Sequence, residues 1–358
     1  MRPSAAEAMI PWLTERFGNP SGGHRVAQAA RRAIDEARDV VADCLGCAPR
    51  EVVFTGGGTE GDNLAIFGQP SPVCSAAEHH AVLHAVERAG GRTVAVDGVG
   101  RVVAADIPHD ASLVSVMLAN NEVGTITPLP SVGPDTVLHT DAVQAVTWLD
   151  VASAAAAADL VTVTGHKIGG PQGTGALVVR GKARVEPLLV GGGQEQERRS
   201  GTHDVAGIVG FAAALRACTD TREDTVERVG KLRDRLADGL LASIPGCWES
   251  GSRDTKVAGI CPLLIEGIES EALLFLLDEA GVCATAASSC ASGALEPSHV
   301  LAAMGVPRDL AQGSLRLSLG WCSTDADVDL ALDVIPRAVA HLRGETGGDG
   351  PDPRGRRA

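Results

Sequence analysis

The residues of this chain best placed to do chemistry are a lysine and an aspartate, each at the end of an apolar run. Residues 159–167 read Asp-Leu-Val-Thr-Val-Thr-Gly-His-Lys, and the glycine turn Ile168-Gly169-Gly170-Pro171 follows. A β-branched run that stops this abruptly predicts a buried strand delivering Lys167 to its end. An amine held near a cleft can have its pKa lowered and can bind an aldehyde carbon as an imine. Taken alone, Lys167 reads better as a surface lysine in a polar turn. Residues 138–144 change that reading: Leu-His-Thr-Asp-Ala-Val-Gln predicts a second short strand ending in Asp141, with Gln144 three residues on. Pyridoxal phosphate requires this pair of groups. The lysine holds its aldehyde, and the carboxylate keeps its ring nitrogen protonated so that the ring acts as an electron sink.

Four motifs occur in order along the chain: Asp141-x-x-Gln144, then Thr164-Gly165-His166-Lys167, then Arg199-Ser200-Gly201-Thr202, then Ser289-Cys290-Ala291-Ser292 running on to Leu295-Glu296-Pro297-Ser298. In these the sequence resembles the cysteine desulfurases of the IscS/NifS class, within the class V aminotransferase family. The resemblance extends from about Glu15 to Leu342. It implies an α/β protein of the aspartate-aminotransferase-like fold type I, with a mostly parallel central sheet flanked by helices and a smaller α+β C-terminal domain. It also implies roles. Lys167, Asp141, Gln144, Thr164 and His166 would bind pyridoxal 5'-phosphate. His79, from Glu78-His79-His80-Ala81-Val82, would stack on the ring and move protons, whereas nothing in the motif speaks for His80. Asn121 would contact the cofactor's phenolic oxygen and the substrate, and Arg316 the substrate's α-carboxylate. Cys290 would take the sulfur of L-cysteine as a persulfide and leave alanine. Thr202 would reach the phosphate bound by a neighbouring subunit, which implies a homodimer with composite sites.

The same resemblance implies a sulfur-acceptor protein as partner, and iron–sulfur cluster biosynthesis and tRNA thiolation both suit such an enzyme. Two other readings stay open: a selenocysteine lyase or other β-elimination enzyme, and a non-catalytic dimeric scaffold or sulfur-relay protein. A scaffold needs none of Lys167, Asp141, Gln144, His79, Cys290 and Arg316 together. The family's opening strand and Ala-Thr-Thr-Pro-like turn have no counterpart ahead of Met1-Arg2-Pro3. A longer reading frame and a site lacking one wall both fit that observation.

Several elements must position these groups. Ala8, Met9, Trp12 and Leu13 predict a short amphipathic helix over 4–16, and Val26, Ala30, Ala33, Ala37, Val40 and Val41 a longer one over 25–44. Residues 51–55 predict a strand, followed by the loop Gly56-Gly57-Gly58-Thr59-Glu60-Gly61-Asp62-Asn63 and a helix at Leu64. Glycines between strand and helix let backbone N–H groups approach an anion, so Gly58 and Thr59 are candidates for cradling the cofactor phosphate. The spacing matches neither a Walker A loop nor a Rossmann fingerprint. Further strands are expected over 73–75, 113–118, 175–179, 260–265 and 314–320, the fourth of these followed by a helix over 270–279 capped by Ser270. A helix opens at Glu78, a polar glycine-rich loop spans 191–202, and a single long helix covers about 204–242. Between Gly124 and Asp141 the helix found in relatives is expected to be shortened or absent. The domain reading is 1–16 as a helix packing with the small domain, 17–242 as the large domain, 243–344 as the small domain and 345–358 as a disordered tail.

Composition narrows the function classes. The 358 residues are 44% hydrophobic, which suits one large domain with a smaller partner. Net charge is −14, and there is no basic cluster outside the extreme C-terminus, so direct nucleic-acid binding and anionic membranes are excluded as partners. No apolar run reaches transmembrane length and no signal-peptide pattern opens the chain, so a cytoplasmic protein is expected. Aromatic residues are 3% and tyrosine is absent, which leaves the core to Val, Leu, Ala and Ile. Nine cysteines at irregular spacing read as buried apolar residues in a reducing compartment. Cys44 and Cys47 have the spacing of half a zinc site but lack a second pair, and no metal site is expected.

Overall fold

A computed structural model describes residues 1–286 and 298–345. The chain divides into two compact units. The first is built from Met1–Asp97, Arg101–Asn121 and Thr125–Asp224, and the second from Gly98–Gly100, Glu122–Gly124 and Thr225 onward. The division falls inside a helix, about eighteen residues before the expected boundary at 242/243 and just after Asp224.

In chain order the first unit contains α1 (Pro3–Leu13), α2 (Arg25–Leu45), β1 (Val52–Thr55), α3 (Gly58–Ile66), β2 (Pro72–Ser75), α4 (His80–Arg88), β3 (Arg92–Val94) and β4 (Leu113–Ser115). It continues with β5 (Val137–Asp141), α5 (Val151–Ala154), β6 (Leu160–Thr164), β7 (Gly175–Val179) and α6 (Val205–Asp220). Helix α7 (Arg222–Ser243) begins here and runs into the second unit. Seven strands form one sheet in the order β1-β7-β6-β5-β4-β2-β3. Only β7 runs against the others, being antiparallel to both β1 and β6. The β-branched runs explain the sheet: Leu160, Val161 and Val163 of β6 are at most 1% exposed, and each contributes roughly 1.5–3 kcal/mol by burial. Strands buried on both faces read as continuous apolar sequence, as these do. Helices α3 and α4 cover one face through a core of Val53, Leu64, Ile66, Val82, Val86, Leu113, Leu160 and Leu177.

The second unit carries β8 (Cys247–Glu249), β9 (Ile260–Ile265), α8 (Ser270–Glu279), α9 (His299–Ala303), α10 (Arg308–Ala311), β10 (Ser314–Ser318) and α11 (Asp325–Leu342). Its sheet is antiparallel, in the order β10-β9-β8. Helices α8 and α11 pack on each other. Among the described residues no helix is long and apolar enough to cross a membrane.

Four expectations are corrected. Helix α1, expected as a separate element packing with the small domain, belongs to the first unit and lies on α6, with Met9 against Gly210. There Arg2 donates from its backbone N–H to Gly169 O at 2.7 Å and from Nε to Ile168 O at 2.9 Å. The long helix is two helices, broken at Thr221, whose hydroxyl bonds back to Ala217 O at 2.8 Å and whose ψ is 10°. Helix α3 begins six residues before the expected Leu64, because Gly57, at φ 135°, turns the chain directly into it. Ser270 starts α8 without capping it; its hydroxyl lies 2.6 Å from both Gln312 O and Ser314 O, and its one proton is shared between these carbonyls. From Thr127 to Thr136 the chain is irregular, as expected. Residues 346–358 lie outside the described part.

Candidate active site

Strand direction brings most of the first unit's candidates to one edge. β1, β2, β4, β5 and β6 all run the same way. Their carboxyl ends lead respectively into Gly57-Gly58-Thr59, Glu78-His79, Asn120-Asn121, Asp141-Gln144 and His166-Lys167. Open α/β sheets bind ligands at this edge. After β4 the chain stays extended, since Val116 N–H donates to His139 O and Leu118 N–H to Asp141 O.

Asp141 is buried, 5% exposed, and accepts the Val143 N–H at 2.8 Å. Burial pushes its carboxyl up to about 6, against the Val143 N–H and the Lys167 charge, which both pull it down. The lysine is therefore within electrostatic reach of the aspartate. Lys167 itself is exposed. His166 lies between them in the chain; burial first and the Lys167 charge second lower its pKa. Its Nδ1 sits 3.1 Å from Thr164 Oγ1, and that hydroxyl also donates to Thr174 O at 3.1 Å.

Gly57 and Gly58 bring the start of α3 against this group. A Cβ on Gly58 would stand 2.8 Å from Val143 Cγ2, so only glycine allows the approach, and Thr164 Cβ lies 3.8 Å from the same point. The first turn of a nine-residue helix thus faces the turn that follows Asp141, with N–H groups and the positive end of the dipole available to an anion. Gln144 is half-buried in that turn.

His79 caps α4. Its Nδ1 accepts the Ala81 N–H at 3.1 Å, which leaves the neutral ring protonated at Nε2. Of the two asparagines, Asn120 is structural. Buried, it donates to Ala77 O at 2.9 Å and ties the ends of β2 and β4 together. Asn121 is half-buried beside it. Thr202 is exposed, in a loop joined to α3 by Arg199 and Glu60, with Nε to Oε1 at 2.9 Å. Arg316 belongs to β10 of the second unit. Its main chain pairs with Thr285, Arg316 N–H donating to Thr285 O at 2.7 Å. Near it, Glu122 is buried and pushed up to about 7, chiefly by burial, while Ser298 donates a hydrogen bond to it and Arg316 attracts its charge. Cys290 lies outside the described residues.

A buried set went unread in the sequence. Glu78 accepts the Met117 N–H at 2.6 Å, and Asp62, His139, Ser115 and Thr162 join side chains behind Asp141. Glu195 holds the 191–202 loop. In the sequence Asp62 and Glu195 stand in glycine-rich loops and Glu78 at a helix start, while Ser115, His139 and Thr162 read only as members of predicted strands. Burial raises the thiols of Cys44 and Cys47, that of Cys47 to about 11, which disfavours thiolate chemistry at either.

The residues present fit pyridoxal phosphate: an accessible amine, a buried carboxyl at the next strand end, and a glycine-lined helix start for a phosphate. The aminotransferase class-V model matches residues 2–331. The chain belongs to the class-V aminotransferase family. Within that family it is similar to an IscS-like cysteine desulfurase of Mycobacterium tuberculosis, 44% identical over 372 residues that cover 96% of this chain and 94% of the relative. It is also similar to the cysteine desulfurase IscS of Methanosarcina thermophila, 41% identical over 96% of this chain and 90% of the relative. A solved NifS-like protein superposes with a TM-score of 0.87 at 30% identity, covering 95% of this chain and 96% of that one. Class-V members of this NifS-like group are pyridoxal-phosphate enzymes.

Proposed function

We propose that this chain is a pyridoxal-phosphate-dependent cysteine desulfurase, converting L-cysteine to L-alanine and taking the sulfur on Cys290 as a persulfide. The observation that carries the reading is the meeting of Lys167, Asp141 and the start of α3 at one sheet edge, in a chain similar throughout its length to proteins named cysteine desulfurase. When bound, the cofactor supplies an electron sink for the substrate's α-carbon. Lys167 would hold the cofactor through its aldehyde, and its amine would move the proton at the substrate's Cα. Asp141 keeps the proton on the ring nitrogen, helped by Gln144 and His79 in orienting the ring. Backbone N–H groups of Gly58 and Thr59, with Thr164 and His166, hold the phosphate, and Thr202 of a second copy completes that grip in a homodimer. Arg316 takes the substrate carboxylate with two parallel hydrogen bonds, and Asn121 fixes its register.

The Cys290 thiolate attacks the substrate's sulfur. An S–S bond forms, the Cβ–S bond breaks, and its electron pair stays on carbon, where a proton then completes alanine. The terminal sulfur passes to the thiol of an acceptor protein. The test is Cys290→Ser. The variant should keep the bound cofactor's absorption while persulfide and alanine formation from L-cysteine both cease, and undiminished sulfur transfer would remove Cys290 from the mechanism.

A further inference from the structure

Behind Asp141, on the face of the sheet that α3 covers, lies a row of buried polar side chains. Register sets Ser115 opposite His139 and Asp141 opposite Thr162, so all four share one face. Asp62 descends onto them from α3; its neighbour Gly61 is so close that a Cβ there would be 2.8 Å from Thr162 Cγ2. Ser115 Oγ is 2.8 Å from His139 Nδ1, and His139 Nε2 is 3.0 Å from Thr162 Oγ1. The Thr162 hydroxyl is the one group that pulls the Asp62 carboxyl down. Hydrogen bonds thus run from Ser115 through His139 to Thr162, with Asp62 beside them, and none of these four residues is more than 1% exposed.

The charge state of Asp62 follows from its partners. Among the described residues the one basic nitrogen within 4 Å is His139 Nε2, at 3.7 Å from Oδ1. Burial, with no solvent contact at either ring nitrogen, lowers the pKa of that imidazole to about 3 and favours its neutral form. Asp62 Oδ1 is buried and makes no hydrogen bond among the described residues. A carboxylate there would face a single hydroxyl donor and no cation, a state that protonation avoids.

We propose that Asp62 is held as a neutral acid and so confines the negative charge of this buried acid cluster to Asp141. The inference rests on the reading that Asp141 serves the cofactor's ring nitrogen. The other groups agree. Burial and the Asp141 charge hold Asp62 well above the usual carboxylate range, and Glu78, buried on the β2 side, is raised for the same two reasons despite the Met117 N–H. Asp141 has both a backbone N–H and the Lys167 charge to favour its ionised form, and rises only to about 6. Of three buried acids, it is the one that ionises at neutral pH.

Infrared difference spectroscopy on the cofactor-loaded full chain at neutral pH tests this directly. Wild type should show a protonated-carboxyl C=O band that Asp62→Asn removes and that is separate from the band removed by Glu78→Gln. If Asp62→Asn removes no such band, Asp62 is ionised and the proposal is overturned. Asp62→Asn, a neutral isostere, should also leave the pH profile of the bound cofactor's absorption within about twofold in proton concentration of wild type. A displacement of about tenfold would mean that Asp62 had shared the charge. Asp141→Asn separates the two layers: unchanged cofactor affinity and spectrum in that variant would end the ring-nitrogen reading, while the Asp62 band would stand on its own.

Discussion

Lys167 and Asp141 meet at adjacent strand ends in opposite environments, one exposed and one buried, and the contrast suits their proposed roles. An exposed amine can leave and return, whereas a carboxylate that must hold one proton in place gains from burial. Lys167→Ala should lose the absorption of covalently held cofactor; a spectrum identical to wild type would refute its role. Asp141→Asn should lower kcat by roughly a hundredfold or more, the scale of a lost proton-holding group. The pH dependence has a definite sign. Because burial raises Asp141 to about 6 in the cofactor-free chain, that chain's affinity for added cofactor should fall as pH drops through about 6, and Asp141→Asn should abolish that limb. The same shift means that the folded apoprotein binds this proton more tightly than the unfolded chain. Its contribution to stability is therefore present below pH about 4 and lost as pH rises through about 6. Both residues were legible in the sequence because each ends an apolar run. Asp62 was not, since it follows a glycine loop and only strand register reveals that it lies over Thr162 and His139.

Elements defined by apolar periodicity were legible, and those defined by a tertiary partner were not. β6, β7 and β9 could be read directly, whereas the break at Thr221 involves neither glycine nor proline and Ser270 is claimed by carbonyls more than forty residues away. The 191–202 loop is the extreme case. Glu195, Gln196 and Glu197 sit in succession at φ 51°, 58° and 65°, a conformation that costs non-glycine residues on the order of 1–2 kcal/mol each. Glu195 offsets this. Its carboxylate is buried, accepts two bonds from Arg38 at 2.7 and 2.8 Å and the Phe54 N–H at 2.9 Å, and meets His203 Nε2 at 2.6 Å. These partners outweigh its burial and hold its carboxyl down at about 2. Against an ordinary value of 4.5, that depression contributes roughly 3 kcal/mol at neutral pH. Glu195→Gln should therefore lower unfolding free energy by about 2–3 kcal/mol at pH 7, measured by urea titration. A depressed carboxylate stabilises above its unfolded pKa, so the difference from wild type should shrink as pH falls from about 4.5 toward 2. A difference constant across that range would mean that the loop is held by packing instead.

At the scale of the whole molecule, the proposed function needs more than one chain. Thr202 is exposed at the end of the loop that Glu195 anchors, and the reading assigns it to the phosphate held by a second copy. If sites are composite, two crippled chains can repair each other. Lys167→Ala removes the amine from a chain's own site, and Thr202→Glu sets a carboxylate against the phosphate in its partner's. Each homodimer should be nearly inactive. In a heterodimer both lesions fall in one site, and the other site receives a native Lys167 from one chain and a native Thr202 from its partner. Equal co-expression makes about half the dimers mixed, each with one intact site, so alanine formation should recover to about a quarter of wild type. Were Thr202 to act within its own chain, every site in the mixture would carry one lesion and no activity would return. Size-exclusion chromatography with light scattering distinguishes that outcome from a failure to dimerise: a dimer without recovered activity would confine the site to one chain, and a monomer would remove the composite site altogether.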